Sequence, residues 1–481
     1  MPIPFTQIPA ALLVPGQYQE IDNSLAGASG EIKRALLIAY KSDAGTAPSG
    51  IPVRVMAEAK AAALFGHGSP AALMARSFLE INKTEECWAL PVEAPQAATP
   101  WRKRFTLDAT SARQGAVAIT VNGAKIDAAG VADGADSQAV AASVVARINS
   151  ELWLPVEAEC LGGGEIEIRS VVPGANGNLN TVTVRSEADG VSVTEGGVTV
   201  GSQTASLKPL LKGLGSVRYN YMASDFNDPD NLAALADELT DRFTAMRQIG
   251  GRAFVALSGN LESVLKQAGN VNNPHVVLVP RMENPQLPGE WAVRWCASAC
   301  RILADDPAAN TYDLAVPGLA SKLECDPDTR QKLLMAGVAT FRTDSPGNVL
   351  IERLVTGYTE NTDGGRDTSF LDVQVTETVD AVRTHINAEA KKRYRTWKLA
   401  GTDEKFGPGA KVMTAAIFRT FLCELYQEIF IKRKRWCQDF DGYKSSLIVE
   451  VKKGSKTWLE YGHSPNLIGQ FCVGAGLLQF K

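Results

Sequence analysis

Arg34-Ala-Leu-Leu-Ile-Ala-Tyr40 is an apolar run of strand length, and a loop rich in Gly, Pro and Ser follows it. A bounded run of this kind is typical of a strand that is buried on both faces. The spacing of apolar residues then predicts a helix over 70–82, and Cys87-Trp-Ala-Leu-Pro-Val92 has the composition of the next strand. Strand and helix signals that alternate in this way favour a mixed α/β layer.

The composition of the 481-residue chain limits the classes of function open to it. Apolar residues make up 45% and charged residues 21%, which are the values of a globular protein. The net charge of −4 argues against a dedicated nucleic-acid binder, because such proteins usually carry a strongly basic surface. The first Lys or Arg is Lys33, and no apolar run approaches the ~20 residues needed to cross a bilayer, so we expect neither a secretory signal nor a membrane segment.

One stretch in the middle of the chain is almost free of aromatic residues. Between Thr106 and Ala205 only Trp153 is aromatic, and 13 of the 42 glycines fall there, a density that indicates many turns. Several short runs alternate apolar with polar residues, and the segment 137–149 has one apolar helical face. Because strand and helix signals of the first kind resume afterwards, we predict a β-rich domain at 96–207 that is inserted into a larger α/β domain.

Both ends of the chain are apolar and nearly uncharged. Prolines at positions 2, 4, 9 and 15 exclude a regular helix at the start, and the last 18 residues carry one charged side chain, Lys481. Each end would lie as a strand on its own domain or serve as an arm on a neighbouring subunit. The candidate arm residues are Ile3, Phe5, Ile8, Leu12, Val14, Leu467, Phe471, Val473, Leu477 and Phe480.

The last third of the chain is richer in charge. Its pattern predicts a long helix over 376–399, a second helix that opens at Gly407-Pro408 and includes Met413, and an Asp441-Gly442 turn into a strand over 446–452. The basic end of the first helix would be a solvated helix end, a nucleic-acid contact or a docking face for an acidic protein. The residues considered for these roles in the basic run are Lys391, Lys392, Arg393 and Arg395. In the strand over 446–452, the residues Leu447, Ile448, Val449 and Val451 are candidates for an acceptor strand, which is a strand that an arm would pair with.

The sequence contains no motif that names a reaction. Gly-x-Ser-x-Gly and His-Glu-x-x-His are absent, and Gly454-Ser-Lys-Thr457 lacks the first glycine of a phosphate-binding loop. His67 is interpreted as a loop residue and His385 as a satisfied helix residue. Cys296 and Cys300 could share a helix face, but no second pair of Cys or His accompanies them. We therefore expect no catalytic residues, no cofactor and no metal site.

Several segments carry a family resemblance. They are Ile3-Pro-Phe-Thr-Gln-Ile-Pro9, Leu12-Leu-Val-Pro-Gly16, Glu20-Ile-Asp-Asn-Ser24, Gly213-Leu-Gly, Tyr219-Asn-Tyr, Asp228-Pro-Asp, Lys398-Leu-Ala-Gly and Phe406-Gly-Pro-Gly409. Together they resemble the tail sheath proteins of Mu-like contractile phages. The resemblance covers nearly the whole chain and is most specific at the N-terminus and around 394–452.

The resemblance implies a structural subunit of a contractile tail sheath. Such subunits form stacked six-fold rings around a tail tube, add strands to neighbours through their terminal arms, and contract to drive the tube through the host envelope. It also implies baseplate and tail terminator proteins as partners, no specific nucleic acid, and a place in the virion tail after assembly in the host cytoplasm. The alternatives are the sheath of a headless bacteriocin or secretion system and, as a different class, a globular enzyme with a β-rich accessory domain.

The predicted fold class is a mixed α+β (α/β) sheath core with a β-rich inserted domain and extended N- and C-terminal arms. The predicted limits are an N-terminal arm at 1–25, a first core part at 26–95, the inserted domain at 96–207, a second core part at 208–375, a C-terminal sheath domain at 376–460 and a C-terminal arm at 461–481. The segments 16–30 and 460–466 are the expected hinges between arms and body. The family resemblance implies that the inserted domain lies on the outside of the cylinder, and we expect the basic run to face an acidic tube.

Overall fold

The computed structural model describes residues 33–401, 406–407 and 409–480. The N-terminal arm predicted at 1–25 and the hinge predicted at 16–30 lie outside these residues. The same holds for the candidate arm residues Ile3, Phe5, Ile8, Leu12 and Val14.

Strands and helices alternate along the described chain. The strands are β1 (Arg34–Tyr40), β2 (Val53–Arg54), β3 (Glu86–Val92), β4 (Arg102–Ala109), β5 (Gly115–Val121), β6 (Ala124–Val131), β7 (Val156–Gly162), β8 (Glu165–Ser170), β9 (Val182–Ser186), β10 (Val191–Thr199), β11 (Tyr221–Ser224), β12 (Arg252–Ser258), β13 (Val276–Met282), β14 (Leu314–Ala320), β15 (Thr340–Thr343), β16 (Asn348–Arg353), β17 (Lys398–Leu399), β18 (Val412–Met413), β19 (Cys437–Gln438), β20 (Ile448–Val451), β21 (Leu459–Gly462) and β22 (Asn466–Leu467). The α-helices are α1 (Glu58–Phe65), α2 (Pro70–Ile81), α3 (Ser137–Ser150), α4 (Lys208–Lys212), α5 (Pro229–Phe243), α6 (Leu261–Ala268), α7 (Pro288–Leu303), α8 (Pro327–Met335), α9 (Val373–Tyr394), α10 (Ala415–Glu424) and α11 (Phe440–Ser446). A 3₁₀ turn spans Ala175–Leu179 and a π-helical segment spans Leu425–Arg433.

A six-stranded sheet in the order β13-β12-β11-β1-β3-β2 forms the centre of the core. All its strands run parallel except β2, which is antiparallel to β3. Successive side chains of a strand point to opposite faces, so Leu37 packs in the layer that contains α2 and α7, whereas Leu36 packs in the layer that contains α5 and α6. The apolar run at Arg34–Tyr40 is thus an interior strand covered by helices on both faces, as its sequence predicts.

Helix α5 begins where the sequence places its capping residues. The side chain of Asp228 accepts a hydrogen bond from the backbone N–H of Asn231, and Pro229 fills the first helical position of α5.

On the opposite face of the central sheet, α7 buries Trp291 and Trp295 completely. A three-stranded antiparallel sheet in the order β14-β16-β15 packs on the same apolar layer as α7.

The aromatic-poor stretch is a folded module with its own apolar core. A four-stranded sheet in the order β10-β4-β8-β7 and a three-stranded sheet in the order β6-β5-β9 pack with α3 around Phe105, Val144 and Ile166. Thr99 and Ser202 form an antiparallel bridge, so the chain enters and leaves the module side by side. We call residues 99–202 the inserted module. The predicted domain limits of 96 and 207 stay predictions.

Two predicted elements of the last third are wrong in the structure, and the helix predicted over 376–399 ends earlier, at Tyr394. The helix predicted from Gly407-Pro408 begins only at Ala415, where the Thr414 side chain accepts a hydrogen bond from the Ile417 N–H. Met413 instead lies in β18, because the segment before the helix pairs with β17 in parallel register. The predicted turn at Asp441-Gly442 lies inside α11.

Candidate assembly surface

The acceptor strand proposed from the sequence is one arm of a hairpin. β20 and β21 pair in antiparallel register, with Val449 opposite Tyr461 and Val451 opposite Leu459. This face packs towards α10, where the ring of Tyr461 lies 5.2 Å from that of Phe418. Ile448 points the other way and is 62% exposed. We call β20 and β21 the C-terminal hairpin.

Leu447, the remaining candidate acceptor residue, lies one position before β20 and is buried. Its carbonyl oxygen accepts a hydrogen bond from the Arg419 guanidinium of α10, which also donates to the carbonyl of Lys444 at 2.7 Å. Leu447 therefore fixes the start of the strand to the domain. Its predicted role in pairing with a neighbour stays a prediction.

The outer edge of β20 is open in the described part of the chain, where β21 is its one paired strand. The Lys452 N–H donates to the carbonyl of Trp458 at 2.9 Å. Hydrogen-bonded and non-hydrogen-bonded pairs alternate in an antiparallel ladder, so the amides of Val449 and Val451 point away from β21. A strand edge with unpaired donors and acceptors is a template for a further strand.

The C-terminal tail is anchored to the same domain at its root. β22 pairs with β19 through Cys437 and Leu467, and the Ile468 N–H donates to the Trp436 carbonyl at 3.0 Å. The Tyr426 hydroxyl donates to the Gln438 carbonyl at 2.7 Å and accepts from the Asn466 N–H at 3.0 Å. One phenol thereby joins both short strands.

The hinge predicted at 460–466 is mostly regular structure. β21 continues to Gly462 and β22 begins at Asn466, so three residues between them lie outside strands. The Gln470 side chain then donates to the Ala308 carbonyl at 2.8 Å. The Asn310 side chain donates to the Phe471 carbonyl at 3.3 Å. The described chain therefore stays attached to the rest of the protein as far as the Phe471 carbonyl.

Beyond Gln470 the tail is exposed and apolar. Phe471 is 82% exposed, Val473 79%, Leu477 86% and Phe480 92%. We call residues 471–480 the apolar tail. Large exposed apolar side chains that are close together are typical of an interaction surface.

The four candidate cations of the basic run differ in their surroundings. Arg393 pairs with Glu389 at 3.1 Å and with Glu424 of α10 at 3.0 Å, and Lys392 lies 3.6 Å from Glu389. Lys391 and Arg395 are exposed, and the ion pairs within residues 33–401 and 409–480 do not include them. Half of the run is thus a solvated, salt-bridged helix end, and the partner-facing role of the other half stays a prediction.

The first half of α9 is joined to the core by a charged network. Arg252 lies 3.3 Å from Glu377, and Asp380 pairs with Arg218 at 3.3 Å and with Arg383 at 2.6 Å. Burial raises the pKa of Glu377, while Arg252 beside it acts in the opposite direction. The second half of α9 packs in the apolar core of the C-terminal domain, so this helix connects the two parts.

The cysteines and histidines considered as metal ligands or catalytic residues lie in packing contacts. Cys296 and Cys300 are buried on α7, and Cys300 Sγ accepts a hydrogen bond from the Asn82 side chain at 3.0 Å. His385 contacts the Phe430 ring edge-on at 5.5 Å, whereas His67 contacts Trp153 at 5.6 Å. Among the described residues, no group of three or more His, Cys, Asp or Glu side chains is placed to hold a metal ion. No helix within those residues is long and apolar enough to span a bilayer.

Sequence reasoning missed the contacts between the inserted module and the core. Trp153 lies against His67 and Arg76, and the Asn176 side chain donates to the buried carboxylate of Asp225. The signal that could have found the first contact is the isolation of Trp153 in an aromatic-poor stretch. The second contact has no counterpart in the local sequence.

An open strand edge and an exposed apolar tail on one domain are features typical of proteins that assemble through strand addition. Known proteins agree. Over 491 aligned residues the chain is 28% identical to the Mu-like prophage FluMu tail sheath protein of Haemophilus influenzae, a match that covers 100% of both chains. The resemblance to Mu-like tail sheath proteins is thereby confirmed, and the expected function as a structural subunit of a contractile sheath is the one that this relative supports. The relative is a tail sheath protein.

Solved structures of sheath proteins are also similar to this chain. The sheath tail protein of Desulfitobacterium hafniense is 11% identical with a TM-score of 0.46, and the match covers 95% of this chain and 100% of that one. The contracted helical sheath of the anti-feeding prophage is 10% identical with a TM-score of 0.44, covering 98% of this chain and 99% of that one. No family model matches the chain.

Proposed function

We propose that this chain is the structural subunit of a contractile tail sheath, which polymerises around the tail tube and contracts to drive the tube through the host envelope. The observation that carries the proposal is the open edge of β20 on the domain from which the apolar tail leaves. The full-length sheath relative supports the same function.

Strand addition explains how these two features would act together. The outward amides of Val449 and Val451 offer donors to an incoming strand, and the apolar side chains of a neighbour's tail would pack beside them. In an isolated chain these tail side chains are exposed. Burying a Phe, Leu or Val side chain contributes roughly 1.5–3 kcal/mol, so several such contacts give a strong link.

Contraction then requires links that persist while other surfaces rearrange. The tail root is held by β19–β22, by the Gln470 side chain and by the Phe471 carbonyl, and the tail beyond Phe471 is the part that would change direction. The core surfaces between subunits would repack as the subunits rotate. We place the predicted hinge of the C-terminal arm at 472 and beyond, not within 460–466, because the Phe471 carbonyl still accepts a hydrogen bond from Asn310.

The remaining partners follow from the sheath proposal. The subunits would form stacked six-fold rings of one chain, joined to baseplate and tail terminator proteins, in the virion tail after assembly in the host cytoplasm. Lys391 and Arg395 would face the tail tube, and the inserted module would lie outside. A headless injection system would use the same subunit, and capsid genes beside the coding gene would distinguish the two.

Electron microscopy of the purified protein tests the proposal. The full chain should form long hollow cylinders, and a variant that lacks residues 471–481 should stay a folded monomer with an unchanged melting temperature. Cutting after Gln470 preserves β19–β22 and the Gln470–Ala308 hydrogen bond, and the one described contact that it removes is the exposed hydrogen bond from Asn310 to the Phe471 carbonyl. A length-matched control replaces the tail's large apolar residues with Ser and should behave like the truncation.

Two results would contradict the proposal. Discrete particles from the full chain under all conditions would favour the globular-enzyme alternative. Long cylinders from the truncated chain would show that the tail is not the arm that links subunits.

A further inference from the structure

The core sheet has a crevice at the carboxyl ends of β1 and β11. These strands are neighbours, but β1 continues the sheet towards β3 and β11 continues it towards β12. Tyr40 ends β1, and Asp225 follows directly after β11. A switch of this kind opens a crevice, which is the usual ligand position in parallel α/β sheets.

In this chain the 3₁₀ turn of the inserted module fills the crevice. The Asn176 side chain donates to Asp225 Oδ2 at 3.1 Å and to the Asp225 backbone carbonyl at 3.0 Å. Two cavities of about 30 and 100 Å³ remain beside Asn176. Both are much smaller than the roughly 300 Å³ at which small-molecule sites begin.

Asp225 also supports the core from the other side. Gly289 at the start of α7 lies against the Asp225 carboxylate, and a Cβ there would come within 2.5 Å of Asp225 Oδ1. The N-cap residue of that helix, Leu287, supplies no side-chain acceptor. One buried carboxylate therefore connects β11, α7 and the inserted module.

Two more contacts, which lie outside the crevice, join the module to the core. The Trp153 ring lies 5.6 Å edge-on from His67 and 4.9 Å from the Arg76 guanidinium, and it packs on the core layer that contains α7. Gly123 closes the β5–β6 turn with φ +81°, and a Cβ there would lie 2.4 Å from Pro285 Cγ. The three contacts come from three separate loops of the module.

We propose that the turn Ala175–Leu179 is a strap that closes the crevice and, together with Trp153 and Gly123, holds the inserted module on the core in one orientation. Three separated contacts fix a rigid body, so the module moves with the core and the crevice takes no other ligand. The proposal concerns the isolated chain and stands or fails independently of the sheath function.

Hydrogen exchange measured by mass spectrometry on the monomeric, tail-truncated chain tests the strap. In a Trp153→Ala/Asn176→Ala variant, exchange at 66–76 and 173–180 should become about tenfold faster or more, while β4, β5 and β8 stay protected. A Leu152→Ala variant is the matched control, because Leu152 is the exposed neighbour of Trp153, and it should exchange like the unchanged protein. Unchanged protection in the double variant would overturn the proposal.

A pair of glycine variants covers the case in which the double variant unfolds the module. Gly123→Ala and Gly134→Ala introduce similar backbone strain, since the two φ angles are +81° and +72°, but a Cβ at Gly134 meets nothing within 4 Å. Gly123→Ala should therefore accelerate exchange at 173–180 several-fold more than Gly134→Ala. Equal exchange in the two glycine variants would also overturn the proposal.

Discussion

The inserted module and the C-terminal hairpin both form strands, yet the module and the tail that follows the hairpin use their apolar residues in opposite ways. The module buries Phe105 completely in its own core and uses Trp153 on the neighbouring core layer. The tail leaves Phe471 and Phe480 in solvent, beside a domain whose hairpin has an open edge. The first region buries its apolar residues within one chain, whereas we propose that another chain covers those of the second.

The difference comes from pairing rather than from composition. Each strand of the module alternates apolar with polar residues and finds a partner within the same chain, so one face can be buried. The tail has apolar residues but forms no strand beyond Leu467 in the described chain. A β-forming segment without a partner strand is stable only when another molecule supplies one.

The largest expected effect concerns the open edge of the hairpin. Val449→Pro removes an outward amide without removing a β20–β21 hydrogen bond, so the monomer should keep its melting temperature within a few degrees while cylinder formation is lost. Val449→Ala keeps the amide and removes most of the side chain, and it should still assemble. Electron microscopy and thermal unfolding of both variants measure this, and normal cylinders from Val449→Pro would show that this edge is not used.

A pair of phenylalanine variants compares the two regions directly. Phe105→Ala should lower the free energy of unfolding of the monomer by about 3–5 kcal/mol, because it leaves a cavity in the module core. Phe471→Ala should change that free energy by less than about 0.5 kcal/mol, because its side chain is exposed in the monomer. Urea unfolding measures both values, and assembly yield should fall for Phe471→Ala. Equal unfolding effects would erase the distinction between the regions.

The docking of the module should make stability depend on pH through Asp225. Burial raises the pKa of Asp225 to about 6, although hydrogen bonds from Asn176 and Gly289 act against this. The ordinary Asp value is about 3.9, so the folded state holds the proton more tightly than the unfolded state does. The stability contributed by this proton is complete below about pH 4 and is lost as the pH rises through about 6.

Comparison with Asp225→Asn isolates that contribution, because Tyr40 and Glu290 face the same site in both proteins. Between pH 4 and 7.5 the unchanged protein should lose up to about 3 kcal/mol of unfolding free energy relative to the variant. Urea unfolding of tail-truncated monomers across this range measures the difference. Parallel stability curves would contradict the pKa assignment.

The smallest effect is expected at the basic run. Lys391→Gln/Arg395→Gln removes two exposed cations four residues apart and should leave monomer stability within about 1 kcal/mol of the unchanged protein. Tube-dependent assembly should slow and become less sensitive to salt. Lys208→Gln/Lys212→Gln, an exposed pair with the same spacing on α4, should have no such effect. Identical assembly rates in both variants would remove the tube-facing assignment.

Elements with a strong local signal were predictable from the sequence. The strand at Arg34–Tyr40 and the start of α5 at Asp228-Pro229 are where the apolar run and the capping residues place them. The long helix was predicted at 376–399 but spans Val373–Tyr394, because Lys398 and Leu399 pair with β18 instead of continuing the helix. Long-range pairing thus overrode a local helical pattern.

Other differences show what local patterns leave open. Asp441-Gly442 has the composition of a turn, yet Asp439 accepts a hydrogen bond from the Gly442 N–H and starts α11. The attachment of Gln470 to Ala308 joins residues far apart in the chain, so no local pattern contains it. The apolar tail itself was predictable from its composition, because a nearly uncharged apolar segment is favoured to pack against another surface.

The Tyr426 hydroxyl gives the tail root a mechanical character. Tension applied to the tail would run along β22, whose short pairing with β19 resists as hydrogen bonds sheared together rather than opened one by one. Tyr426 stands in the π-helical segment and stacks on Tyr443 at 3.7 Å, so the same phenol would pass that tension into the aromatic core of the domain. The tail would therefore be anchored to the domain through the Tyr426 ring as well as through its strand pairing.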